Sequence, residues 1–70
     1  MNIATITWRD LIQATIEFLK NKASVDDIYN ILIKSKKAKN NKHVREKIRQ
    51  ILNNNDNFIK IENYWILKLN

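Results

Sequence analysis

The chain contains no cysteine, no glycine and no proline among its seventy residues, and a single histidine, His43. Each absence removes a class of chemistry. Without cysteine there is no disulfide framework and no thiolate metal site, so a domain this small must hold itself together by packing. Without glycine there are no backbone loops of the kind that cradle phosphates in nucleotide-binding folds. One histidine cannot build a metal cluster or a histidine-based triad. A nuclease pattern of an Asp followed by Glu-x-Lys is also missing, since Glu46-Lys47 lacks the spacing and falls mid-helix. We therefore read no enzyme in these residues, and no cofactor or metal. A separate nuclease domain in a longer natural protein is compatible with that reading. No apolar run is long enough for a membrane span and no charged-then-apolar leader is present, so the expectation is a soluble, cytoplasmic protein.

What the chain does have is concentrated charge. The net charge is +6, and it is not spread out. Residues 1–33 carry Arg9, Lys20 and Lys22 against Asp10, Glu17, Asp26 and Asp27, a net of −1. Residues 34–49 carry eight basic groups against Glu46 alone, a net of +7. Residues 50–70 balance Lys60 and Lys68 against Asp56 and Glu62. A solvated lysine face accounts for scattered charge; concentration on one segment favours a polyanion, nucleic acid first.

The centre of that segment is an amphipathic helix expected over 41–53. Val44, Ile48, Ile51 and Leu52 gather on one stripe at about 100° per residue. Lys42, Glu46, Arg49, Gln50 and Asn53 fall opposite, with Arg45 on one shoulder and His43 and Lys47 on the other. One side is built to be packed and the other to stay in water. Asn40 or Asn41 is the expected cap, because asparagine accepts readily from free helical amides.

Two helices precede it. Thr7-Trp8-Arg9-Asp10 is a capping box that opens a helix over 8–21, with Leu11, Ile12, Thr15, Phe18 and Leu19 on its buried side. Ser24-Val25-Asp26-Asp27 repeats the signature for a helix over 25–35, whose inner stripe is Val25, Ile28, Tyr29 and Leu32, widened by Ile31 and Ile33. Asp26 and Asp27 are better read as first-turn carboxylates at the positive end of a helix dipole than as an acid–base pair. Residues 1–6 form a short lead-in and 35–40 a polar connection.

After the asparagine-rich stop at 53–57, Phe58 to Leu69 reads as a β-hairpin around Glu62-Asn63. A three-residue turn groups Ile61, Trp65 and Leu67 on the core side and leaves Lys60 and Lys68 outward. A two-residue turn groups Phe58, Trp65 and Leu67 instead. The first is favoured because it exposes both lysines. A short third strand near Val25 can join this hairpin.

Three helices followed by a hairpin make one α+β domain with the order of a winged helix-turn-helix. In that fold the third helix enters the major groove and the hairpin, the wing, lies along the backbone. Periodicity and charge point to the same element independently. The expected partner is double-stranded DNA, and the expected state is a monomer with no membrane association. Candidate base contacts are Asn41, Arg45, Arg49 and Gln50. Candidate phosphate contacts are Lys37, Lys39, Lys42, His43, Lys47, Lys60 and Lys68. The alternative is a winged-helix interaction domain for an acidic protein partner, with Ile59, Ile66 and Tyr64 of a two-sided apolar hairpin left exposed. The DNA reading requires the cationic side to stay free: Arg45 and Arg49 locked into internal pairs, or the helix tucked beneath the hairpin, removes it.

The segment Asn41-Lys42-His43-Val44-Arg45-Glu46-Lys47-Ile48-Arg49-Gln50 resembles the Asn-x-His-(Val/Ile)-(Lys/Arg)-(Asp/Glu)-Lys-Ile-Arg-Gln segment in the C-terminal winged helix of DpnI-like (Dam-replacing) restriction endonucleases. Ser24-Val25-Asp26-Asp27-Ile28-Tyr29 is similar to that family's Thr-x-x-Asp-x-Tyr, and Trp8, Tyr64 and Leu67 match its first tryptophan and the end of its wing. The resemblance spans roughly residues 7–69. It implies a DNA-reading accessory to a nuclease domain or subunit in a restriction-modification system, recognising adenine-methylated GATC in a prokaryotic, nucleoid-associated setting. Asn41, His43, Arg45, Lys47, Arg49 and Gln50 conform to the motif. The chain departs where the family has a glycine-rich wing turn, here Ile61-Glu62-Asn63, and after Leu52, where asparagines replace leucines and charges. A looser similarity to HARE-type winged helices concerns the fold alone.

Overall fold

A computed structural model describes residues 7–39 and 41–68, the Lys37 side chain excepted. Residues 1–6, Asn40, Leu69 and Asn70, and with them the expected lead-in, one of the two expected caps and the last hairpin residue, lie outside the described residues. The order is α1 (Trp8–Phe18), α2 (Val25–Leu32), α3 (Lys36–Lys39), α4 (Val44–Asn54), β1 (Phe58–Ile61) and β2 (Tyr64–Leu67). Among the described residues, three longer helices, one single-turn helix and a two-stranded antiparallel sheet form a small α+β domain whose order is compatible with a winged-helix layout.

Both capping boxes form as the sequence spells them. The Thr7 hydroxyl accepts from the Asp10 amide while the Asp10 carboxylate accepts from the Thr7 amide. Ser24 and Asp27 do the same at α2, each bond 3.1 Å. The end of α1 comes earlier than the expected 21. Lys20 donates to Glu17 O and Asn21 to Ile16 O, the paired closing bonds of a Schellman turn. That turn needs a left-handed residue just past the helix, normally glycine; here Lys20 and Asn21 both sit at φ 63°. The chain then runs back along β2. Ala23 exchanges both backbone hydrogen bonds with Trp65, and the Asn21 Oδ1 accepts from the Leu67 amide at 2.8 Å. The expected third strand near Val25 is thus a single bridge at Ala23, because Val25 is already the first residue of α2.

The core is one cluster: Ile12 and Ile16 from α1, Ala23 from the bridge before α2, Ile28 and Leu32 from α2, Ala38 from α3, Val44, Ile48 and Leu52 from α4, and Phe58 and Trp65 from the hairpin. Two expectations for α1 are corrected. Ile16 is fully buried and Phe18 is 77% exposed. Ile12, Ile16 and Leu19 continue one stripe at four and seven residues, whereas Phe18 stands about 120° round from Ile12 and misses it. Ile33, expected to widen the α2 stripe, is exposed just past the helix end. The connection is more structured than its composition suggests, since Ser35 Oγ accepts from the Ala38 amide and caps α3, which drops Ala38 into the core.

The hairpin takes the two-residue turn, not the favoured three-residue one. Phe58 pairs with Leu67, Lys60 with Trp65 and Ile61 with Tyr64. Phe58 and Trp65 are buried and Ile61 is 51% exposed. Burying two large aromatics outweighs turning Lys60 outward, because a lysine stem can reach water from the edge of a packed face. The turn carries its own strain: Glu62 has φ 56°, at the position where tight hairpin turns favour glycine.

Two stability predictions follow from these elements. Lys20→Gly removes a side chain from a left-handed cap and should stabilise the domain by about 1 kcal/mol. In thermal denaturation that is a rise in Tm of roughly 4–8 °C. Ile48→Ala leaves a hole at the centre of the core and should cost about 2–5 kcal/mol, read as a lowered denaturation midpoint or outright unfolding.

Candidate nucleic-acid interface

The surface of interest is the outer side of α4. Val44, Ile48 and Leu52 are buried against α1 and α2, and Ile51 is half-buried. Every residue expected on the opposite side, Lys42, Glu46, Arg49, Gln50 and Asn53, is exposed. The helix is not tucked beneath the hairpin. His43 stands at the N-cap with an exposed side chain that makes no capping bond, so among the described residues no side chain caps the first amides of α4. Asn41 does not cap the helix either. Its Oδ1 accepts from the His43 amide at 2.8 Å, an Asx turn that sets the angle at which the chain enters α4. Asn41 is half-buried there.

The two candidate arginines differ. Arg49 is exposed and has no carboxylate partner among the described residues. Arg45 is engaged on two sides. Its guanidinium forms an ion pair with Asp26 and lies over the Tyr29 ring, 4.3 Å from the centroid. Asp26 and Tyr29 are three apart on α2, so carboxylate and ring share the helix face that meets the start of α4. Arg45 therefore leans back onto α2 and is held there, unlike Arg49. The pair is open to water, with side chains 48% and 69% exposed. Such pairs are worth only about 0–1 kcal/mol, so an external anion can displace Asp26.

The hairpin register brings a second cation to the same side. Lys60, on the strand face shared with Trp65, lines a shallow depression with Arg49, Asn63, Ser24, Val25 and Asp26. Sequence reasoning placed Lys60 outward on the wing and did not join it to Arg49. The signal was present in the choice of Phe58 over Ile61 as the buried residue. Of the remaining candidates, Lys39, Lys42, Gln50 and Lys68 are exposed and Lys47 is half-buried. Lys68 does not join the α4 surface; it borders a separate cleft with Gln13, Glu17, Lys20, Asn21, Asn57 and Leu67. The Lys37 side chain lies outside the described residues. Among the described residues no group of histidine, aspartate and glutamate side chains is placed to hold a metal ion, and no helix is long and apolar enough to cross a membrane.

The reverse face of the hairpin is different in kind. Ile59, Ile61 and Tyr64 are exposed, Ile66 is half-buried beside them, and Lys22 lies over the Tyr64 ring at 4.5 Å. Lys60 and Trp65 project from one side of the sheet and these residues from the other.

A scan of protein-family models finds no match to this chain, and searches of curated proteins and of solved structures find none either.

Exchanging one arm of the Arg45 contact tests how firmly it is held. Tyr29→Leu keeps the apolar packing but removes the ring beneath the guanidinium. It should lower stability by no more than about 1 kcal/mol by denaturant titration.

Proposed function

We propose that the domain is a winged helix that binds double-stranded DNA, with α4 in the major groove and the hairpin as a wing along the backbone. The observation that carries the reading is the division of α4 itself: an apolar stripe turned to the core, and an opposite side of Lys42, Glu46, Arg49, Gln50 and Asn53 left in water. The net charge of +7 over 34–49 supports it. So does the N-terminus of α4 beside Lys42 and His43, which no side chain among the described residues caps, since helical amides and the positive end of a helix dipole attract phosphate. Arg49 and Gln50 are the side chains free to meet base edges, where a bidentate arginine–guanine contact is worth roughly 1–3 kcal/mol. Lys39, Lys42, Lys47 and Lys60 meet phosphates. The resemblance of 41–50 to the winged helix of DpnI-like endonucleases extends the proposal to a specificity module of a restriction-type system, reading adenine methylation for a nuclease domain or subunit.

The exposed apolar face of the hairpin favours a second reading, an interaction domain for an acidic protein partner. In that reading the acidic partner meets the basic helix as well as the apolar face, and the two readings give different results with random duplex at low salt. Binding below micromolar protein supports DNA; no binding at that concentration supports the partner.

If about five phosphates are neutralised, log affinity should fall against log salt with a slope near −4 to −5. A slope close to zero removes the electrostatic basis of the proposal. Arg49→Ala should flatten discrimination among duplexes selected from a random library, made with and without adenine methylation, while Lys42→Ala weakens all of them alike and makes the slope shallower by about one.

A further inference from the structure

Asp26 is the one acidic side chain lining the depression that Arg49 and Lys60 share, and it is also the carboxylate paired with Arg45. Asp26 from α2 thus pairs with one cation of α4, Arg45, and borders the same depression as two more, Arg49 of α4 and Lys60 of β1. The capping of α2 does not need it: Ser24 and Asp27 close that capping box between themselves. Nor does the pair add much to the fold, because both partners are largely in water. On the DNA reading, a phosphodiester meeting Arg49 and Lys60 in the depression lies beside this carboxylate, and Arg45 can join them only when released from Asp26.

We propose that Asp26 is an internal competitor for this phosphate seat, holding Arg45 back against Tyr29 until a nucleic-acid backbone displaces it. The inference rests on the DNA reading above and adds a regulation to the same surface. Arg45 and Arg49 are four apart on α4 and lie on neighbouring ground, so a guanidinium released from Asp26 joins the cations already free. A lone anion meets only Arg49 and Lys60 and must also overcome the negative charge of Asp26. A duplex strand, engaging Lys42, Arg49 and Lys60 at once, offsets the loss of the internal pair over several contacts. The arrangement therefore selects arrays of phosphates over isolated ones, and it keeps the most basic part of the chain from being fully exposed when no nucleic acid is bound.

The test is a double-mutant cycle on the full chain, with duplex affinity measured across a salt series for wild type, Asp26→Asn, Arg45→Ala and the double variant. Asp56→Asn controls for the general effect of removing one negative charge. Circular dichroism confirms that each variant is folded, and Asp26→Ser stands in if Asp26→Asn is not. Asp26→Asn should bind on the order of fivefold more tightly than wild type, with a salt slope steeper by about one. Arg45→Ala alone should change affinity by less than about twofold, because the contact Arg45 gives the bound backbone is offset by the internal pair broken to make it, and adding it to Asp26→Asn should abolish the gain. Wild-type binding with an Asp26→Asn gain no larger than that of Asp56→Asn, or a gain that survives without Arg45, overturns the competitor and leaves DNA binding standing. Binding by Asp26→Asn alone supports a complete block. No binding by any of the five proteins overturns both.

Discussion

The burial of Val44, Ile48 and Leu52 is the constraint on which the rest depends. These three residues sit at steps of four on α4 and bring that helix against α1 and α2, with β1 beside it. A helix has one face to give to a core. Once the apolar face is given, the side chains half a turn away have no choice but water, and on α4 most of them are cationic or amide-bearing. The free surface is thus a consequence of the packing. The aromatic residues serve the same end from the other side: Phe58 and Trp65 close the core beneath the hairpin and set the register that carries Lys60 to the α4 side.

A chain without glycine must build its turns from residues that resist them. Lys20, Asn21 and Glu62 take left-handed backbone at the two places where the path reverses most tightly, the end of α1 and the tip of the hairpin. Asn21 turns this into an advantage, since its Oδ1 receives the Leu67 amide and continues the pairing that Ala23 makes with Trp65. The outer edge of β2 is partly covered in that way, and the hairpin is tied to α1 as well as to the core. A two-stranded sheet alone would be marginal. This one is held on one face by packing and along one edge by hydrogen bonds.

The parts of this fold that were legible in the sequence are those fixed by short-range chemistry. The two capping boxes, the stripe of α4 and the presence of a hairpin each follow from side chains within a few residues of one another. The misreadings lie where distant parts compete. Ile16 and Phe18 are both apolar and two apart; the stripe of Ile12 and Leu19 singles out Ile16, while the size of the Phe18 ring argues the other way. The hairpin register turns on whether Phe58 or Ile61 reaches the core, a contest between aromatic burial and lysine exposure that local pattern leaves open. Arg45 reads locally as a helix-shoulder cation. Its engagement depends on Asp26, nineteen positions earlier, and no periodicity links the two.

That long-range pair changes how the charge of the chain should be understood. Counted by segment, residues 34–49 look like a bare cationic patch following a mildly acidic half. Folded, one carboxylate from the acidic half is set against the basic helix, and the strongest candidate contacts separate into a free pair, Arg49 and Lys60, and a withheld arginine. The hairpin separates its two sides in a similar manner, with Lys60 toward α4 and Ile59, Ile61 and Tyr64 away from it. A polyanion on the first side leaves the second uncovered, so the two surfaces do not compete for the same ligand. The domain is in this respect two-faced: a charged surface on the α4 side, with Asp26 set against it, and an apolar one on the reverse of the sheet.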